Sequence, residues 1–158
     1  MHTSLSYQWK QGLISTVVAQ GYSHALTIAW NRDIGVDRAW RNIKLLHAKT
    51  DKKLLGRNYW KFDPSERTRA IFVFEGIGYN LHVHSFWKIE PKHLIKFNRL
   101  FSGEHGGLWN TIVSSGSYKL DMMMPGERGR FASYMLKTQH ADADAAQIFW
   151  SEDFLRAA

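Results

Sequence analysis

The chain has 158 residues, 44% of them hydrophobic and 22% charged, which is the size of one ordinary domain and excludes a disordered or fibrous protein. It contains no cysteine, so disulfides, thiolate metal sites and cysteine nucleophiles are excluded, and His, carboxylate, Tyr, Ser and Thr are left to carry any chemistry. No apolar stretch approaches membrane-spanning length, and Leu13 to Ala19 is too short and too polar at its flanks for a secretory signal; a soluble, cytoplasmic protein with no membrane partner is expected.

Lys and Arg number 21 against 14 Asp and Glu, a formal net charge of +7, and 14% of the residues are aromatic, seven of them Trp. Phosphates require cations and unstacked bases require π-faces, so this balance suits single-stranded nucleic acid. A basic soluble protein with its rings in the core has the same composition.

In chain order, Tyr7 to Gln20 reads as a helix stopped at Gly21. The run HALTIAW (His24 to Trp30) reads as a buried strand with Leu26, Ile28 and Trp30 on one face. Asn31 to Gly35 turns the chain into an amphipathic helix, Val36 to Leu55, in which Val36, Trp40, Ile43 and Leu46 follow a helical period and Gly56 provides the stop. A polar loop from Arg57 to Thr68 follows. The runs AIFVFE (Ala70 to Glu75) and NLHVHSFWKI (Asn80 to Ile89) flank the turn-like Gly76 to Tyr79, which predicts an antiparallel hairpin at the centre of a sheet. Pro91 to Phe101 reads as a helix, Ser102 to Gly107 as a break, and Asn110 to Ser114 and Tyr118 to Met122 as two further strands. Pro125 opens a helix running through Lys137, and Ala143 to Leu155 reads as a last short helix. This order predicts an α+β fold: a central antiparallel sheet of about five strands with helices packed on its faces, a ferredoxin- or RRM-like palm.

The sharpest local feature is His82-Val83-His84. Residues two apart on a strand share a face, so both imidazoles can converge on one ion. Glu75 alternates onto the face of Ile71 and Val73 and, across a hairpin, can complete a His2-carboxylate set for a divalent cation. The other reading of the tripeptide is a pair of half-buried sheet histidines satisfied by their neighbours. The second feature is Tyr134-Met135-Leu136-Lys137. On a helix Lys137 lies beside Tyr134, with Arg130 on the same side, which sets a phenol among cations; a Tyr nucleophile needs such charge, or a metal, to favour its phenolate. Alternatively Phe131, Tyr134 and Met135 form a core stripe and Lys137 is a solvated charge.

Together and in this order, the segments resemble the three motifs of the HUH endonuclease superfamily, in particular the single-tyrosine rolling-circle replication initiators (Rep). The first motif, a short apolar strand with a central Thr, resembles Ala25 to Trp30 with Thr27; the second is His82-Val83-His84; the third is Tyr134-x-x-Lys137. Glu75, seven residues before His82, is similar in position to the third ligand that this family takes from the neighbouring strand. The resemblance spans residues 24–137. Relaxases of the superfamily carry the tyrosine ahead of the His pair, so the order here argues against them. Single-tyrosine HUH transposases share the order and remain an alternative.

The resemblance implies a single nuclease domain over residues 1–158 that nicks and rejoins single-stranded DNA. A divalent ion, Mg or Mn, held by Glu75, His82 and His84 would polarise the scissile phosphate; Tyr134 would attack it to leave a 5'-phosphotyrosine and a free 3'-hydroxyl, and Lys137 would assist. The implied partners are single-stranded DNA or a DNA hairpin at a replication origin, with unwinding left either to a separate helicase or to a helicase domain of a longer initiator. Candidate DNA contacts are Arg130, Arg57, Arg41, Lys44 and Thr27. The rival from another class is a non-catalytic module whose aromatic sheet surface stacks single-stranded nucleic acid.

Overall fold

A computed structural model describes residues 5–102, 107–136 and 148–155. Five antiparallel strands form one sheet in the order β4-β1-β3-β2-β5, where β1 is His24–Ala29, β2 Arg69–Glu75, β3 His82–Lys88, β4 Ser117–Met122 and β5 Ile148–Trp150. Five α-helices accompany it among the described residues: α1 Leu5–Ala19, α2 Val36–Leu55, α3 Leu94–Leu100, α4 Arg128–Met135 and α5 Ser151–Leu155. The stretch from β1 to β4 therefore runs β-α-β-β-α-β, the ferredoxin-like order. The expected α+β class, with the β2–β3 hairpin inside the sheet, is what the chain forms.

Strand alternation divides the core into two layers. One face of the sheet, carrying Leu26, Ile28, Phe72, Phe74, Val83 and Trp87, is covered by Ala39, Ile43 and Leu46 of α2 and Phe97 of α3. The other, carrying Ala25, Ile71, Val73 and Phe86, is covered by Leu13 and Val17 of α1 and Ala132 and Met135 of α4. Burial on both faces explains why β2 is a nearly continuous apolar run rather than an alternating one. It also accounts for most of the rings: Trp30, Trp87 and Trp109 are fully buried, and Trp60 is the one tryptophan of the seven that is largely exposed. The buried indoles keep their N–H groups bonded, Trp30 to Asn42 Oδ1 at 2.9 Å and Trp109 to the Ala29 carbonyl at 3.1 Å, which offsets the cost of burying a polar atom.

The turn of the central hairpin depends on Gly76. Its φ is +72°, a region that side chains other than Gly avoid, and a Cβ there would run into the carbonyl oxygen of Asn80. Backbone bonds from Tyr79 and Asn80 to the Gly76 carbonyl, at 3.2 and 2.9 Å, close the turn. Its length sets the β2–β3 register, pairing Glu75 with His82 and Val73 with His84. A slip of one residue would send every side chain of β3 to the opposite face.

Two expected elements differ. Asn110 to Ser114 is not a strand: Leu108–Thr111 forms a 3-10 turn. Trp109 buries its ring there, and the Asn110 side-chain amide donates to the Gly116 carbonyl at 2.7 Å, a local bond that competes with strand pairing. The fifth strand lies instead in the segment Ala143 to Leu155 that was expected to be helical. Residues 143–147 lie outside the described residues, Ile148–Trp150 pairs with β2, and only Ser151–Leu155 is helical. The open edge of β2 requires a partner. Ile148 and Trp150 pack into the α1/α4 layer while Phe149 packs into the other, so three consecutive apolar residues are all used. Smaller differences concern helix starts, with 3-10 turns at Pro91–His93 and Pro125–Glu127 preceding α3 and α4. No described helix is long and apolar enough to cross a membrane.

Candidate metal centre

Three side chains converge at the hairpin end of β2 and β3. Glu75 ends β2, His82 begins β3 directly opposite, and His84 lies diagonally across on the same face. His84 Nε2 is 3.1 Å and His82 Nε2 3.4 Å from Glu75 Oε2, and one ligand atom from each of the three residues lies within 4.8 Å of the others. An ion about 2.1 Å from each ligand places neighbouring donor atoms roughly 3 Å apart, so these two separations suit a shared cation. The side chains retain 14%, 25% and 12% of their exposure for Glu75, His82 and His84, enough for solvent or substrate to complete a coordination shell.

Each imidazole is held by its other nitrogen. His82 Nδ1 donates to the Asn80 carbonyl at 2.9 Å, which leaves Nε2 as the lone-pair nitrogen facing Glu75. His84 Nδ1 lies 3.2 Å from Thr27 Oγ1, and the Thr27 hydroxyl in turn donates to Met135 Sδ at 4.0 Å. Without an ion, His84 Nε2–H donates to Glu75 Oε2 at 3.1 Å; with Nε2 on an ion, Nδ1–H would donate to the Thr27 oxygen instead. Such partners fix the tautomer and ring orientation of a metal-binding histidine. Burial, and secondarily the neighbouring His82, lowers the His84 pKa below 6.5 against the opposing pull of Glu75, so the ring is neutral and available as a ligand near neutral pH.

The cluster therefore has the chemistry of a candidate divalent-cation site: one carboxylate and two imidazoles gathered on one face. Mg, Mn and other divalent ions all accept such a set.

Of the remaining residues singled out in the sequence, Thr27 stands across β1 from His84 and supports it. Tyr134 is 65% exposed on α4, and its neighbour Met135 reaches Thr27, so the helix carrying the phenol packs over the face that carries the cluster. Arg130 is exposed on the same helix and pairs with Glu127 at 3.3 Å. Lys137 lies outside the described residues. Arg41 and Lys44 on α2, and Arg57 just beyond it, belong to the opposite layer: α2 packs on the face to which Val83 points, whereas His82 and His84 point away from it. Sheet register also brings to the cluster's face Lys119, paired with Thr27 across β1 and β4 and 3.7 Å from the Asp121 carboxylate. Sequence reasoning did not single out Lys119, Met135 or Asn80, because nothing in the linear order states which strands are neighbours.

Comparison with protein-family models, with curated proteins and with solved structures finds no match. The fold and the cluster together describe an α+β chain with a candidate divalent-cation site on one sheet face.

Proposed function

We propose that the chain nicks and rejoins single-stranded DNA in the manner of the HUH endonucleases it resembles, with Tyr134 as nucleophile and a divalent ion at Glu75, His82 and His84. The observation that carries this reading is the meeting of Glu75 with both histidines on one face, with Thr27 linking His84 to the helix of Tyr134. A sheet surface that stacks bases is less well supported, since Phe72, Phe74, Phe86 and Trp87 are fully buried.

A bound ion would polarise the scissile phosphate and orient it. The residues supply the rest. Glu75 contributes the negative charge that retains a dication, while Asn80 and Thr27 hold the imidazoles in the ligating tautomer. Tyr134 Oη forms a bond to phosphorus as the bond from phosphorus to the 3'-oxygen breaks; the phenol gives up its proton and the 3'-hydroxyl gains one. The product is a 5'-phosphotyrosine, whose retained ester energy permits rejoining to a 3'-hydroxyl. Lys137, assigned by the resemblance, would accept the phenolic proton or offset developing charge. Single-stranded DNA or an origin hairpin is the proposed substrate; Rep-type initiation is favoured over transposition by the Lys of the third motif.

The test is incubation with labelled single-stranded DNA and Mn, followed by denaturing electrophoresis. A covalent protein–DNA band is expected, lost in Tyr134→Phe and slowed about 10- to 1,000-fold in Lys137→Ala. A full-strength band in Tyr134→Phe, or an adduct mapped by mass spectrometry to Tyr118 or Tyr79, would overturn the assignment; cleavage without an adduct would indicate hydrolysis.

A further inference from the structure

Helix α2 carries six of the 21 basic residues: Arg38, Arg41, Lys44, Lys49, Lys52 and Lys53. At about 100° per residue they fall within roughly half of the helix circumference, the half complementary to Ala39, Ile43, Leu46 and Leu54, over a length of about 22 Å. Two acids lie on α2. Asp37 sits in the first turn, and Asp51 is buried and paired with Arg67 at 2.8 Å. The acids of the following loop are used locally, Asp63 accepting from Ser65 and Glu66 from the Asp63 backbone. None of the six cations of α2, nor Arg57 or Lys96, forms an ion pair among the described residues.

The stripe is flanked by two grooves. On one side Lys49, Lys52, Lys53, Arg57 and Lys96 line a groove of about 510 Å³ floored by Leu108. On the other, Lys44 and Ala48 face Tyr59 and Trp60. Trp60 is 63% exposed, and Lys61 sits over its ring at 5.1 Å. An indole left in water beside cations that no carboxylate neutralises costs apolar exposure that a nucleobase stacked on it would relieve.

We propose that this surface is a second, non-catalytic binding site for a single strand of nucleic acid, which crosses α2 from Trp60 over Lys52 into the groove of Lys53, Arg57 and Lys96. It lies in the helix layer on the other side of the sheet from Glu75, His82 and His84 and does not depend on the cleavage reading. Cations spaced along the helix neutralise successive phosphates, and Trp60 supplies one stacked base. The stacking residue is what assigns a single strand rather than a duplex, whose bases are already stacked on each other.

The test is fluorescence anisotropy of a labelled 20-nucleotide oligothymidine with the full chain in EDTA, at 50 and 200 mM salt. EDTA separates the outcome from that of the metal-dependent reaction. In Lys52→Glu/Lys53→Glu/Lys96→Glu, all three positions being exposed, the dependence of log affinity on log salt should fall by about 2, because each lost phosphate contact removes about 0.7. Trp60→Ala should weaken binding roughly tenfold or more at either salt. Circular dichroism confirms that each variant is folded, and Lys→Gln replacements at the same three positions should give a smaller loss in the same direction. Unchanged affinity in the charge-reversal variant would overturn the site. Binding of a 20-base-pair duplex in preference to the single strand, with Trp60→Ala without effect, would overturn its assignment to a single strand.

Discussion

Among the described residues, two groups join histidine to carboxylate, on opposite sides of the sheet. In the one behind it, Asp51 is fully buried and accepts from Arg67 Nε at 2.8 Å and from the Thr68 backbone at 3.0 Å, while His47 Nε2 donates to the Thr68 carbonyl at 2.7 Å. The carboxylate has its cation within the chain, and the network ties the loop before β2 to α2. In the other, Glu75 meets two imidazole nitrogens whose remaining nitrogens are already engaged. The same residue types are thus joined to a guanidinium in one place and gathered as three potential metal ligands in the other. Arg67 neutralises Asp51 in the closed group, since charge must be balanced wherever water is scarce.

The largest expected effect breaks the closed group. Asp51→Ala strands the buried guanidinium of Arg67 and should cost about 3–5 kcal/mol, seen by calorimetry as a melting temperature lower by roughly 10 °C. A loss under about 1 kcal/mol would mean that the network does not carry the loop. The open group should respond to an ion instead. Mn at about 100 times its dissociation constant should stabilise the wild type by about 2.7 kcal/mol, and His82→Ala/His84→Ala should abolish that gain with little change in metal-free stability. Equal stabilisation of both proteins would place the ion elsewhere.

Next in size is the support of His84. Thr27→Val keeps the shape of the side chain and removes the acceptor for His84 Nδ1–H, so Mn affinity measured by titration calorimetry should fall about 10- to 100-fold. Thr27→Ser, which restores the hydroxyl, should recover most of it; failure of Ser to do so would reduce Thr27 to a packing residue.

The smallest effect is protonic. Burial is the first cause that lowers the pKa of His24, His47 and His84 below 6.5. The unfolded chain then binds more protons just below pH 6.5 than the folded one, so stability is full above that value and declines as pH falls from it towards the depressed folded-state values. Urea midpoints between pH 7.5 and 5.5 should show this decline, at most about 1.4 kcal/mol per pH unit for each histidine. Mn should steepen it in the wild type, because protons compete for His84, and leave the His82→Ala/His84→Ala profile unchanged. A profile that rises towards acid pH would contradict the burial of these rings.

Period and punctuation made most of the elements legible. The helical spacing of Val36 to Leu55, its stop at Gly56, and the paired β-branched and aromatic runs around Gly76 are local signals, and the chain obeys them. The face shared by His82 and His84 follows from strand periodicity alone, and Glu75 follows once the two runs form a hairpin. What tertiary structure decided is whatever depends on non-adjacent strands and on burial. Thr27 becomes a partner of His84 only because β1 pairs with β3, and Lys119 joins that face only because β4 pairs with β1. Ile148–Trp150 becomes a strand because β2 offers an unpaired edge, and the apolar triplet by itself is equally compatible with a helix. Arg41, Lys44 and Arg57 share the chain's positive charge with Arg130, yet the sheet separates their layer from the cluster. Local conformational preference is written residue by residue along the chain, whereas strand order and the side of the sheet a helix covers are set by how all the apolar faces are buried together.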